Sequence, residues 1–422
     1  MSLEKVWRLR MSEEILKPNL RFSEYQKVWE RHKLEDYLSV STEKNAEEVF
    51  GKEDVLSVSG DFGIVNQMEF QGRSFAGAST ANYGVVNTGD VVYTKSPLKA
   101  NPFGIIKTNK GQTGIVSTLY AVYHPKENVY PDFVQVYFEN NSRMNKYMHP
   151  LVNKGAKNDM KVSDANALKG NVIFPDVSEE KSIVEYFSNI DRMVVLQQKE
   201  YDKLLIMKKA MLEKMFPSIC CKVPEIRFSE FVEEWSFRKL GELSDKISEK
   251  NSFMEFTETL TNSAEYGIIS QRDFFDHDIA KQDKINGYYI VRPEDFVYNP
   301  RISTTAPVGP IGRNKLGRCG VMSPLYTVFR PKEVDNSFLE QFFKSSHWHS
   351  FMRFNGDTGA RSDRFAIKDP TFFEMPIPFP QIEEQRRIGQ YLNGLDELIS
   401  LQARKLTKLK NIKAGCLDRM FV

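Results

Sequence analysis

Catalysis needs a nucleophile, an acid–base pair or a bound metal, and few groupings in this chain of 422 residues supply one. Asn101-Pro102-Phe103 matches the first half of an Asn-Pro-Pro-Tyr methyl-transfer element, but the second proline is missing and no glycine-rich cofactor loop accompanies it, so it reads as a turn. Pro131-Asp132 and Glu179-Glu180-Lys181 have the residue types of a nuclease site, yet they fall in different elements, and the second suits the acidic first turn of a helix. No Walker loop is present. His347 and His349 flank Trp348 with no carboxylate or cysteine at ligand spacing, and Cys220, Cys221, Cys319 and Cys416 draw neither a zinc pattern nor a disulfide framework. No catalytic residue and no metal site is expected.

What remains is the chemistry of reading a nucleic acid. Lysine and arginine reach phosphates and the guanine edge, asparagine and glutamine pair with adenine, and hydroxyls serve both. These types gather on glycine-containing segments: Lys107, Asn109, Lys110, Gln112 and Thr113, with Lys95 upstream; Lys154, Lys157 and Asn158; Arg301 and Thr304; Arg313, Asn314, Lys315 and Arg318; and Asn355, Arg361, Ser362 and Arg364. All are expected to bind DNA. The net charge of +2 hides a local bias, because residues 91–126 hold five lysines and no acid, and residues 296–332 hold six Lys or Arg and no acid. Such windows are where a polyanion could be met. A solvated basic loop accounts for one of them more readily than for two at matching places.

The places match because the chain is written twice. Pro18-Asn19-Leu20-Arg21-Phe22-Ser23-Glu24 returns as Pro224-Glu225-Ile226-Arg227-Phe228-Ser229-Glu230, Trp29 meets Trp235, and Glu43-Lys44-Asn45 meets Glu249-Lys250-Asn251. Eleven of twenty-eight positions agree between 18–45 and 224–251, where composition alone gives roughly two. Gly114, Ser117, Leu119-Tyr120, Val122 and Pro125 then fall on Gly320, Ser323, Leu325-Tyr326, Val328 and Pro331, within strand-like runs over 114–123 and 320–329. A repeat of about two hundred residues is a duplicated domain, expected to present two similar binding surfaces in pseudo-twofold relation.

Each copy ends in a long helix. Its start reads Pro175-Asp176-Val177-Ser178-Glu179-Glu180 in the first, where Asp176 and Glu179 have capping-box spacing, and Pro380-Gln381-Ile382-Glu383-Glu384-Gln385 in the second. Steps of four and three follow: Ile183, Phe187, Ile190, Val194, Gln197, Tyr201, Leu204, Lys208, Met211 and Met215, then Ile388, Leu392, Leu395, Ile399, Gln402, Leu406, Leu409, Lys413, Cys416 and Met420. This is a coiled-coil seam, with paired glutamines and lysines placed to fix register at some cost in stability. About 36 residues at 1.5 Å each make a rod of roughly 55 Å, long enough to act as a spacer.

An apolar content of 41% with 12% aromatic residues reads as globular. No apolar run reaches transmembrane length, and Met1-Ser2-Leu3-Glu4-Lys5 lacks a signal-peptide core, so a cytoplasmic protein without a membrane partner is expected.

The Arg-Phe-Ser-Glu start with its tryptophan, the Gly359-Ala360-Arg361 turn and Pro376-Ile377-Pro378-Phe379-Pro380-Gln381-Ile382-Glu383-Glu384-Gln385-Arg386-Arg387-Ile388 opening a long helix resemble the specificity subunit of type I restriction-modification systems. The first copy departs from that helix start, with Asp-Val-Ser-Glu-Glu-Lys in place of Gln-Ile-Glu-Glu-Gln-Arg. The resemblance implies an α+β fold: two pseudo-twofold-related mixed α/β target-recognition domains separated by two long helices that form an antiparallel coiled coil. The expected layout is an extension at 1–17, recognition domains at 18–175 and 218–380, and spacer helices at 176–217 and 381–422. It further implies double-stranded DNA with a bipartite, asymmetric target as ligand. The implied partners are two modification subunits that bind S-adenosylmethionine and methylate adenine, and restriction subunits that use ATP and Mg2+. None of these cofactors is expected on this chain. Two other readings stay open, a self-contained DNA methyltransferase or nuclease, against which the missing cofactor loop speaks, and a tandem scaffold for proteins, which salt-dependent DNA affinity would tell apart.

Overall fold

A computed structural model describes residues 16–97, 101–154, 160–218, 220–275, 282–358 and 363–422. Contacts divide the chain into one unit of residues 1–197 with 405–422 and a second of residues 198–404.

The first unit holds a four-stranded antiparallel sheet in the order Leu38–Val40, Tyr120–Pro125, Val91–Thr94, Ile106–Thr108. Val91-Val92-Tyr93-Thr94 is β-branched and aromatic, and every residue is buried, as suits an inner strand covered on both faces. Val92 and Val122 pack with Leu56, Val86 and Val116 of two short ribbons. Val91, Tyr93, Ala121 and Tyr123 belong to the core shared with the helices Pro131–Phe138 and Asn141–Met148. The run at 114–123 is two strands rather than one, Gly114–Val116 and Tyr120–Pro125, because a turn closed by Tyr120 N–H on Ser117 O at 3.1 Å separates them.

The second unit repeats this plan. Its sheet runs Ser244–Ile247, Thr327–Pro331, Phe296–Tyr298, Ile311–Arg313, and the helices Asn336–Lys344 and His349–Asn355 follow. The 320–329 run is broken in the same way, with Tyr326 N–H on Ser323 O at 3.0 Å.

In each unit a strand after the tryptophan pairs with the strand before the long helix, Glu30–Lys33 with Asn171–Phe174 and Ser236–Lys239 with Pro376–Phe379. That pairing brings the Arg-Phe-Ser-Glu segment to the helix start. Arg21 Nε and Nη2 donate to the two oxygens of Glu179 at 2.7 Å each, and Trp29 Nε1 donates to Glu179 Oε2 at 3.2 Å. Arg227 grips Glu384 at 2.7 and 2.8 Å, with Trp235 Nε1 at 3.1 Å. Both carboxylates are buried. Only half of the expected capping box forms, since Asp176 Oδ1 accepts Glu179 N–H at 3.1 Å while the Glu179 side chain turns inward to the arginine.

The next residue differs between copies. Gln385 Oε1 accepts Asp335 N–H at 2.9 Å and its Nε2 donates to Pro380 O at 2.8 Å. Glu180 Oε2 accepts Tyr130 N–H at 2.6 Å, but Oε1 is buried with no partner. Burial pushes the Glu180 carboxyl up to about 8.

The long helices, Val177–Lys214 and Ile382–Arg419, have 38 residues each. In the first unit Tyr186 Oη lies 3.4 Å from Cys416 Sγ, and Lys413 Nζ lies 2.6 Å from Asp191 and 3.1 Å from Glu139. Residue numbers rise along one helix as they fall along the other, so the two run antiparallel. The second unit shows the same sense: Leu212, Met215 and Phe216 join a core with Ile388, Leu392 and Leu395, and Lys208 pairs with Asp396. Every seam position is buried or half-buried, from Ile183 to Met215 and from Ile388 to Met420 in the four-three steps. The seam lysines are held in ion clusters, and Gln197 and Gln402 each keep a buried Oε1 without a partner.

Removing Glu179 or Glu384 strands a largely buried guanidinium and an indole N–H, so Glu179→Ala and Glu384→Ala should each cost about 3–5 kcal/mol in their own unit. Hydrogen exchange resolved by unit checks this, with the loss confined to the unit that carries the substitution. Glu180 has a folded pKa raised above its ordinary 4.5, so the stability it contributes is full below that pH and is lost as the pH climbs toward about 8. Glu180→Gln should therefore raise the unfolding temperature by about 2–8 °C at pH 8 and leave it unchanged near pH 4.5. Thermal unfolding across that range measures it.

Candidate nucleic-acid interface

Among the described residues, the basic side chains of the two acid-free windows other than Lys126 meet acids from outside those windows. Lys107 is 7% exposed, and burial lowers the pKa of its ammonium, with Glu139 at 3.9 Å. Lys110 pairs with Asp132 at 3.1 Å and Lys315 with Glu340 at 3.3 Å. Arg313 is sunk between Glu294 and Glu340, and Arg318 grips Glu258 with two bonds of 2.7 Å. An exposed pair contributes about 0–1 kcal/mol, so Lys110, Lys315 and Arg318, all about half exposed, can exchange their carboxylate for a phosphate.

Three residues leave the DNA-binding set. Lys107 is buried, and Asn109 and Asn314 are buried keystones of their own loops. Asn109 Nδ2 donates to Asn87 O at 3.2 Å and Gln112 O at 3.0 Å, while its Oδ1 accepts Gly111 N–H at 3.1 Å. Asn314 Nδ2 donates to Arg292 O and Arg318 O at 3.0 Å each, while its Oδ1 accepts Leu316 N–H at 3.1 Å. With the N–H donors engaged and the side chain buried, neither amide can reach a base. Gln112 stays exposed, and Thr113 is half-buried against Asn87.

A second cluster forms at the opposite end of each sheet, where the third sheet strand in spatial order exits. In the first unit Lys95 pairs with Asp164 at 3.0 Å, and Asp164 follows in sequence the ribbon Asn153–Lys154 with Met160–Lys161. The exit segment folds back because Tyr93 Oη donates to Phe103 O at 2.8 Å and Gly104 takes φ +81°, where a Cβ would sit 1.9 Å from Thr94 O. The second unit copies this with Tyr298 Oη on Val308 O at 2.9 Å and Gly309 at φ +84°. Only glycine fits at these two positions.

There the segments carrying Arg301 and Arg364 pair, through Ile302 N–H on Asp363 O at 3.1 Å and Phe365 N–H on Pro300 O at 2.7 Å. Arg301 is 70% exposed, Thr304 and Asn355 are exposed, and Arg364 is half-buried. Asn355 also lines a cavity of about 640 Å³ with Pro300, Leu325, Tyr326, Lys246 and Lys368. The structure thus joins Arg301, Asn355 and Arg364 and keeps them apart from the Arg313–Arg318 loop. Lys157, Asn158, Arg361 and Ser362 lie outside the described residues, and Lys154 is described by its backbone alone. Lys246 and Lys368 were not legible as site residues, because both lie outside the acid-free windows and close in sequence to acids.

Other candidate chemistry is used structurally. The Asn101 backbone carbonyl closes a turn by accepting Gly104 N–H at 3.0 Å while its side-chain Oδ1 is buried without a partner, and His347 Nε2 lies 2.9 Å from Glu213 O. Among the described residues no three His, Cys, Asp or Glu side chains converge as metal ligands.

Residues 232–411 match the family model described as the type I restriction modification DNA specificity domain. The chain resembles type I restriction-modification specificity subunits. The MjaVIII specificity subunit of a type I restriction enzyme from Methanocaldococcus jannaschii is 23% identical over 254 residues, 57% of this chain and 58% of that protein. The match therefore spans less than two thirds of the relative's length. Among solved folds, the HsdS subunit of Thermoanaerobacter tengcongensis superposes with a TM-score of 0.50 at 16% identity, covering 94% of this chain and 98% of that one. A chain from a structure of complex assembly and conformational transition in the type I system gives 0.51 at 15% identity, covering 93% and 97%. The α+β fold with paired long helices is the fold of specificity subunits.

Exposure separates the cations that can meet a duplex from those that cannot. Arg301→Ala should weaken DNA binding and lower the slope of log affinity against log salt by about one, whereas Lys107→Met should leave that slope unchanged. Fluorescence anisotropy with duplex DNA at several salt concentrations reads both.

Proposed function

We propose that this chain is the DNA-reading subunit of a type I restriction-modification complex, with each unit reading one half of a bipartite target in double-stranded DNA. The observation that carries the proposal is the duplicated unit whose two copies share a frame and differ at its rim. Lys95 is tied to Asp164 in one copy, while Arg301, Arg364 and Asn355 gather in the other. A shared frame with different rims suits an asymmetric sequence, since phosphate contacts position the protein and a few base contacts specify it.

Modification subunits would supply S-adenosylmethionine and the methyl transfer, and restriction subunits the ATP- and Mg2+-dependent steps, in the cytoplasm. Their docking surface on this reading is the long helices, where Met193 (46%), Val195 (53%), Leu196 (54%) and Ile206 (71%) are exposed outside the seam. Apolar side chains in that number on one helix suit a protein partner.

The deciding experiment incubates the full chain with S-adenosylmethionine and DNA, alone and with its modification subunits. Adenine methylation should appear only with the subunits present, in a bipartite motif. Exchanging residues 20–175 for the corresponding domain of a relative should alter one half of that motif. Turnover by the chain alone, or a change in both halves together, would sink the proposal.

A further inference from the structure

The turn Ser117–Tyr120 and its copy Ser323–Tyr326 leave the same side chain out in solvent. In each, the tyrosine N–H closes on the serine carbonyl, and the tyrosine ring packs inward, Tyr120 with the Val92–Val122 cluster and Tyr326 with the Val297–Val328 cluster. The leucine between them is turned out. Leu119 is 60% exposed and Leu325 is 59% exposed. One exposed leucine on a surface is ordinary. The same leucine, left out to the same degree at the same repeat position of two units whose neighbouring loops have diverged, has a shared task.

Its surroundings say what that task is. Leu119 O accepts the backbone N–H of Lys95 at 3.0 Å, so the leucine stands beside the strand exit that carries this lysine. Leu325 lines the cavity of about 640 Å³ together with Asn355 and Pro300, next to Arg301. In the first unit the apolar side chain stands beside Lys95, which is tied to Asp164, and in the second it stands in a cavity with Asn355, Lys246, Lys368, Asp357 and Asp369. An exposed apolar side chain beside a lysine that can trade its carboxylate for a phosphate suits a base within a phosphate frame. Apolar side chains meet DNA by touching the thymine methyl in the major groove or by wedging between base steps.

We infer that Leu119 and Leu325 are apolar base contacts, one for each half of the DNA target. This rests on the DNA-reading function proposed above. It assigns specificity to residues without charge or hydrogen-bonding groups, so their contribution is independent of salt.

The test uses the full chain in complex with its modification subunits, and as probe a randomised duplex library from which bound sequences are selected. Leu119→Asn should blur the motif in one half and Leu325→Asn in the other, each lowering the ratio of specific to non-specific affinity about tenfold, with the salt slope unaltered. Leu119→Met and Leu325→Met should keep the motif, which separates lost contact from lost folding. Repeating the selection with uracil in place of thymine distinguishes a methyl contact, which uracil abolishes, from a wedge, which survives it. An unchanged motif and ratio in both asparagine variants overturns the inference while leaving the DNA-reading function standing. So does an equal fall in specific and non-specific affinity. A wild-type complex that enriches no motif and shows no salt-dependent affinity overturns the function itself, and the inference with it.

Discussion

The structure depends on one buried carboxylate in each unit. Glu179 and Glu384 each take two hydrogen bonds from an arginine and one from a tryptophan, all at 3.2 Å or less. Charge-assisted, two-pronged bonds of this kind fix direction as well as distance. Because the arginine lies near the start of the repeat and the glutamate in the first turn of the long helix, the bond welds the beginning of each copy to the base of its rod. The desolvation of both charges is offset only while all three partners are in place, which makes the start of the helix a geometric reference for everything attached to it.

The second constraint crosses between copies. The core of the first unit is completed by Cys416, Leu417, Met420 and Phe421, and that of the second by Leu212, Met215 and Phe216. Phe421 lies 6.2 Å from the Trp29 ring, and Phe216 lies 5.3 Å from that of Phe338. Neither copy closes its own core with its own helix end. The seam lysines carry the same exchange in polar form, Lys413 reaching Asp191 and Lys208 reaching Asp396. A slip of register along the seam would therefore break apolar packing and strand buried charge in one movement.

Charge distribution in sequence and in space differ here for a plain reason. Windows free of acid in the chain are flanked in the fold by Asp132, Glu258, Glu294 and Glu340, which reach them from helices and turns elsewhere. Arg301, on the segment that leaves the second sheet and is pinned by Gly309, is 70% exposed, whereas Lys95 on the matching segment of the first unit is 22% exposed and tied to Asp164.

Sequence alone determined the duplication, the two helices and their seam, because these are local and periodic: each heptad step is written where it acts, and each matched motif can be found by alignment within the chain. The pairing of Trp29 with Trp235 was legible for the same reason, while their burial came with the fold. Tertiary structure alone decided which helix end fills which core, which carboxylate holds Arg21, and why Lys107, Asn109 and Asn314 are withdrawn from solvent. Burial and ion pairing are set by neighbours from other elements of the chain, Glu139 for Lys107, Glu258 for Arg318 and Glu179 for Arg21. No local pattern records those neighbours, so a lysine that ends against a glutamate and one that faces water read alike until the chain is folded.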